Sequence, residues 1–167
     1  MLKLAVCLAS FALVSLSMAQ TVVDRARADE LVFMSDNDPA MRQAFARARA
    51  TFDEFLSKAK EPAPGTLHYA VKVGIREGED TEYFWVGDFT QDSSGMFSGR
   101  IDNEPRLVKK VKAGQRYTFP KGHIVDWTYV DRNQRRMVGN FTMCALLTKE
   151  PQAEAAAARQ KFGLRCE

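Results

Sequence analysis

Three acid–base groups in this chain could do chemistry. Asp126 lies within Ile124-Val125-Asp126-Trp127-Thr128-Tyr129, Glu82 opens Glu82-Tyr83-Phe84-Trp85-Val86, and His123 immediately precedes the first of these stretches. A carboxylate facing a second carboxylate or an imidazole across an open cleft can supply the general acid and general base of a hydrolase. Asn103 and Asn140 could hold a substrate through their amides, and Trp127 and Trp85 offer aromatic faces to a ligand. Each group also has a plainer reading, which we favour. Asp126 accepts hydrogen bonds from nearby backbone or hydroxyl groups and pins a turn, because a buried carboxylate without donors is costly. Trp127 fills the core. No second residue stands at a diagnostic spacing from Asp126, and the chain carries no Gly-x-Ser-x-Gly, His-Glu-x-x-His or phosphate-loop motif.

The cysteines and histidines narrow the chemistry further. There are three cysteines and two histidines, His68 and His123. Residues 1–19 read as a signal peptide: Lys3, an apolar run from Leu4 to Leu16, then Ser17-Met18-Ala19, with cleavage expected before Gln20. Cys7 leaves with it, so Cys144 and Cys166 remain as an even pair in an oxidising compartment, and a disulfide is expected. It closes a loop of about 22 residues, for which chain entropy suggests about 3 kcal/mol. The pair does not resemble a Cys-x-x-Cys redox site, and two histidines poorly support zinc. No metal and no cofactor are expected.

The elements that would position these residues can be read from periodicity. Asp38-Pro39 is a helix start, a capping carboxylate followed by proline at the first helical position. Met41, Phe45, Ala48, Phe52, Phe55, Leu56 and Ala59 follow at three- and four-residue spacing, an apolar stripe for the face of a sheet. Pro62-Ala63-Pro64-Gly65 ends the helix. The period then becomes two: Leu67, Tyr69, Val71, Val73 and Ile75 alternate with His68, Ala70, Lys72 and Gly74. Gly78 marks a hairpin, and Glu82 to Phe89 is the return strand. Met96 to Ile101 reads as a strand interrupted at Gly99, and Gln115 to Phe119 as another. Alternation along the Asp126 stretch puts Val125, Trp127 and Tyr129 on one face and Ile124, Asp126, Thr128 and Val130 on the other. Met137 to Leu147 is expected to close the sheet as a strand carrying Cys144. Gln152 to Phe162 is an alanine-rich helix with Gly163 at its end, tied by the disulfide to that last strand.

The fold class is therefore α+β: an N-terminal amphipathic helix packed on a curved, mostly antiparallel β-sheet, with a short C-terminal helix. At 167 residues and 46% hydrophobic composition the chain suits one domain. The organisation reads as signal peptide 1–19, N-terminal segment 20–37 with Thr21-Val22-Val23 and Leu31 to Met34 as edge-strand candidates, α+β domain 38–147, and helical tail 148–167. No transmembrane segment is expected in the mature chain. Removing residues 1–19 takes one lysine and no acid, which lowers the formal charge from +3 to +2. That is too mild to argue for nucleic acid, and a periplasmic or secreted address argues against it.

Several motifs together resemble the YegJ-like bacterial family. They are Met41 with Ala48-Arg49-Ala50-Thr51-Phe52-Asp53-Glu54-Phe55, Glu82, Trp85-Val86, Gly99, Asn103-Glu104-Pro105, Val111-Lys112-Ala113-Gly114-Gln115, the Ile124 to Tyr129 stretch and Gly139-Asn140. The resemblance spans residues 38–147. It implies a bacterial source and a small globular domain of unknown function, and supplies no catalytic residues.

The function expected is a non-catalytic protein- or ligand-binding module in the periplasm or outside the cell. Its partner would be a protein or an anionic ligand of the cell envelope. Candidate binding residues are Asp126, Trp127, Glu82, Trp85, Asn103 and Asn140. Candidate basic surfaces are Arg106, Lys109, Lys110, Lys112, Arg116 and Lys121, and the cluster Arg132, Arg135, Arg136. An exposed aromatic patch of Tyr83, Trp85 and Phe97 would instead suit a structural partner protein. The alternative is a carboxylate-dependent hydrolase using Asp126 with Glu82 or His123.

Overall fold

The computed structural model describes residues 35–166. The signal-peptide reading and the edge-strand candidates up to Met34 lie outside them. The first helix, α1, is Pro39–Lys60, and the six strands are β1 (Thr66–Glu77), β2 (Asp80–Gln91), β3 (Phe97–Ile101), β4 (Arg116–Phe119), β5 (Ile124–Asp131) and β6 (Arg136–Gly139). Two helices follow, α2 (Phe141–Leu147) and α3 (Gln152–Phe162). The strands form one sheet in the order β4-β3-β2-β1-β5-β6, with every neighbouring pair antiparallel. β1 to β4 run as a meander, and β5 returns to the free edge of β1. The fold is the α+β arrangement its periodicity implies.

The caps and turns behave as local chemistry requires. Asp38 caps α1, its Oδ1 accepting from the Ala40 N–H at 2.9 Å, and Pro39 opens the first turn. Met41, Ala44, Phe45, Ala48, Phe52 and Phe55 form the buried stripe of α1. Ala48, Phe52 and Phe55 pack on Val71, Val73, Ile75, Phe84, Val86, Phe97, Trp127 and Tyr129, all on one face of the sheet. We call this the helix face. Gly78 and Glu79 link β1 to β2 with Gly78 at φ 61°.

Two expectations are corrected. Met137 to Leu147 is not one strand. β6 stops at Gly139, and Gly139 and Asn140 both take left-handed backbone, φ 78° and 55°, which ends the extended run and starts α2. A β-carbon at residue 139 would overlap the Trp127 carbonyl and indole, so glycine is required there. Cys144 thus lies on a helix, and the Cys144–Cys166 disulfide, with an S–S distance of 2.02 Å, fastens the α3 tail to α2 rather than to a strand.

The second correction concerns faces. The β1–β5 register shifts between Lys72↔Asp126 and Val73↔Ile124, so Val125 is an extra, bulged residue. Ile124 therefore joins Trp127 in the main core, while Val125 packs with Met41, Ala44, Phe45 and Ala145. The alternation argument fails because one inserted residue inverts every side chain before it.

Two further bulges shape the sheet. His68 and Tyr69 together oppose Tyr129, and Asp88 and Phe89 together oppose Gly99. In each pair the first residue is left-handed without being glycine, His68 at φ 56° and Asp88 at φ 47°. Gly99 is needed where Val86, the Gly87 carbonyl and Phe89 press on it. β3 therefore runs unbroken through Gly99, contrary to the interruption expected there, and the extra residue at that level sits on β2.

Candidate functional site

Asp126 is fully buried, with a relative exposure of 0%. Its Oδ1 accepts from the Trp127 N–H at 2.8 Å and the Phe141 N–H at 3.2 Å. Its Oδ2 accepts from the Thr142 N–H at 2.8 Å and the Thr142 hydroxyl at 2.7 Å. It is a cap for α2 supplied from a neighbouring strand. Lys72 lies directly across the strand pair, and its Nζ donates to Thr142 Oγ1 at 2.8 Å and sits 4.8 Å from the Trp85 ring centroid. Burial pushes the Asp126 carboxyl up, against the pull of Lys72 and its own donors. Burial likewise pushes the Lys72 ammonium down, against Asp126.

Glu82 is also buried and also occupied. Its two oxygens accept from the backbone N–H groups of Arg106 at 2.9 and 3.1 Å, Leu107 at 2.9 Å and Val108 at 3.1 Å. It anchors the β3–β4 connection. Register places Glu82 opposite Ile75 and Asp126 opposite Lys72, hence on opposite faces of the sheet. His123 is exposed in a 3₁₀ turn, Lys121–His123. The three acid–base candidates do not converge.

Trp127 belongs to the helix face. Its Nε1 donates to the Ala48 carbonyl at 3.1 Å and to Thr51 Oγ1 at 3.2 Å, and its ring stacks on Phe55 at 4.8 Å between centroids. Asn140 is buried at the β6–α2 corner, and its Nδ2 reaches Met137 Sδ at 2.9 Å. Asn103 accepts the Trp85 backbone N–H at 2.9 Å. Trp85, Lys72 and Asp126 thus share the side of the sheet opposite Phe52 and Phe55. The exposed aromatic patch of Tyr83, Trp85 and Phe97 that would have suited a structural partner protein does not form, because Phe97 is fully buried on the helix face. Of the basic candidates, Lys121 pairs with Asp53 and Lys110 Nζ donates to the Arg76 carbonyl, while Arg132 and Arg135 are exposed.

The open site lies elsewhere. The β1–β2 ladder runs from Glu77↔Asp80 to Ala70↔Gly87 and stops there. Beyond that point β1 continues only with β5, and β2 only with β3. The His68 and Asp88 bulges begin at this level, and bulges bend a strand and increase its twist. The two strands splay and leave a half-open cleft of about 660 Å³. Its α1–β1 side carries Leu56, Ala59, Lys60, His68, Tyr69 and Ala70. Its β2–β3 side carries Gly87 to Gln91 with Arg100 and Asp102. Arg100 bridges the two acids there, with its NH2 3.1 Å from Asp88 Oδ2 and its NH1 3.5 Å from Asp102 Oδ1. Partial burial and the Asp88 charge push the Asp102 carboxyl up, against Arg100. Asp102 packs where a side chain at Gly87 would stand. None of the binding residues expected from sequence lines this cleft. The nearest sequence signal is the weak pair Gly87 and Gly99, which marks the bulged crossing without marking a site. Among the described residues no group of three or more histidines, cysteines or acids is placed to hold a metal ion, and no helix is long and apolar enough to cross a membrane.

The family model described as "Uncharacterized protein conserved in bacteria (DUF2314)" matches residues 38–166, which takes in both cysteines of the disulfide. The chain is 35% identical over 134 residues to "Uncharacterized protein YegJ" of Escherichia coli (strain K12), covering 80% of this chain and 84% of that one. It is 29% identical over 139 residues to "Putative ankyrin repeat protein NMB1133/NMB1171" of Neisseria meningitidis serogroup B (strain ATCC BAA-335 / MC58), covering 77% of this chain and 54% of that one. The chain therefore spans about half the length of that second relative. No solved structure matches.

Proposed function

This chain belongs to the DUF2314 family of uncharacterised bacterial proteins, and from that premise we propose that it is a non-catalytic ligand-binding module of the periplasm or cell exterior, with its seat in the cleft between β1 and β2. The observation that carries this reading is the end of the β1–β2 ladder at Ala70↔Gly87, beyond which a half-open space of about 660 Å³ lies over Tyr69, Phe89 and Leu56. That is the size range of small-ligand sites, with an apolar body and a few polar groups at its rim. The fixed bulges on both sides support preorganisation. Asp126 and Glu82 are occupied by backbone donors on opposite faces, so the hydrolase alternative has no converged acid–base pair behind it.

The signal-peptide reading of residues 1–19 and the Cys144–Cys166 disulfide support the extracytoplasmic address. The test is a fragment screen of neutral aromatic and aliphatic probes by two-dimensional ¹⁵N–¹H NMR. Cleft binding predicts shifts at the Gly87, Asp88, Phe89 and Tyr69 amides. Shifts confined to the basic loops, or hits only beside Trp85, would move the seat away from the cleft.

A further inference from the structure

The two sides of the cleft differ in charge. The α1–β1 side presents Lys60 and His68, with no acid among its lining residues. The β2–β3 side presents two carboxylates, Asp88 and Asp102, against one guanidinium, Arg100. Arg100 spends its donors on those two acids, so that side has a net negative charge and acceptor capacity to spare. Between the two sides the wall is apolar, from Leu56 to Phe89. A ligand that complements this pattern carries a cation at one end, an anion at the other and an apolar body between them. A single inorganic ion satisfies only one side, and a purely apolar molecule leaves both charged rims unused.

We propose that the cleft takes a short zwitterionic peptide of about two residues, its ammonium toward Asp88 and Asp102 and its carboxylate toward Lys60. This rests on the cleft being the ligand seat and adds the chemical class of the ligand. The cleft's volume of about 660 Å³ accommodates a peptide of this length with room for solvent at its mouth. The rim charges set orientation, because reversing the peptide puts like charges together at both ends.

The experiment titrates the ¹⁵N-labelled, disulfide-intact protein with leucyl-leucine in four forms: free, N-acetylated, C-amidated, and blocked at both ends. The readout is the shift of the Gly87 and Asp88 amides. The free dipeptide is expected to bind tightest, with each single block weakening it about tenfold. Two variants assign the ends. Asp88→Asn with Asp102→Asn should weaken the free form but not the N-acetylated one, and Lys60→Gln should weaken the free form but not the C-amidated one. All three substituted residues are exposed, and an otherwise native spectrum verifies folding. Equal affinity for all four forms at the cleft overturns the zwitterion proposal while leaving a ligand seat in place. Tightest binding of the N-acetylated or C-amidated form also overturns it. If no form shifts a cleft amide, the proposal falls; if the neutral probes above then shift none either, the ligand seat falls with it.

Discussion

Thr142 donates both its backbone N–H and its hydroxyl to the same oxygen of Asp126, at 2.8 and 2.7 Å. The first turn of α2 is thus capped from β5, across 16 residues of sequence. Asp126→Ala strands the Trp127, Phe141 and Thr142 donors in a buried site. We expect a loss of about 3–5 kcal/mol, read by urea denaturation. Thr142→Val removes one donor to Asp126 and the acceptor of Lys72, and should cost about 1–3 kcal/mol. A change below about 1 kcal/mol for Asp126→Ala would show that α2 is capped by other means.

The pH dependence of stability follows from the same pair. Burial holds the Asp126 carboxyl above its ordinary value of 3.8, so just above pH 3.8 the native chain binds this proton more readily than the unfolded one. Stability from Asp126 is therefore full at low pH and falls as pH rises from 3.8 through the folded value. Lys72 has the opposite displacement, below 10.5, so its contribution to stability recovers as pH climbs from its folded value toward 10.5. Compared with wild type, Asp126→Asn should lack the acid-side slope and Lys72→Met the alkaline-side slope. The acid-side difference is separable from Asp38, whose carboxyl the Lys149 contact lowers and whose stabilisation disappears below pH 3.8. Parallel wild-type and variant curves would mean that neither group titrates with folding.

Glu82→Gln should act locally. A glutamine places an amide donor against the Arg106, Leu107 and Val108 N–H groups that the carboxylate accepts. We expect faster hydrogen exchange at those three amides and a loss of about 1–3 kcal/mol. Unchanged exchange there would show that the connection is held by its apolar anchors, Val108 and Val111, alone.

Reduction of Cys144–Cys166 should free the tail before the sheet. α3 buries only Ala155 and Ala158 against Leu147 and Leu164. Loss of a crosslink spanning 22 residues should cost about 3 kcal/mol in thermal or urea unfolding. Trypsin should then cleave first at Arg159 or Lys161. First cleavage within α1 or the strands would instead show that the bridge supports the whole fold.

Part of this molecule is legible in one dimension. Asp38-Pro39 and the apolar stripe through Phe55 specify α1, because capping and a 3.6-residue period are local properties. Gly78 marks the β1–β2 hairpin for the same reason. The disulfide follows from counting, since two cysteines remain once Cys7 is set aside. Asp126 as a hydrogen-bond acceptor follows from the cost of burying a bare carboxylate, although its donors could not be named.

What tertiary structure alone decided is long-range. Phe141 to Leu147 is helical because Asp126 caps it from another strand, and an apolar seven-residue run has no local signal strong enough to choose helix over strand. Ile124 and Trp127 share a face because a bulge at Val125 breaks the period of two. The cleft exists because bulges in two neighbouring strands fall at the same level of the ladder and bend them apart. Lys60, Asp88, Arg100 and Asp102 are ordinary surface residues in sequence. They become the rim of one space only when strand register sets β1 and β2 side by side and then parts them. Register depends on contacts between residues distant in the chain, which no local pattern encodes.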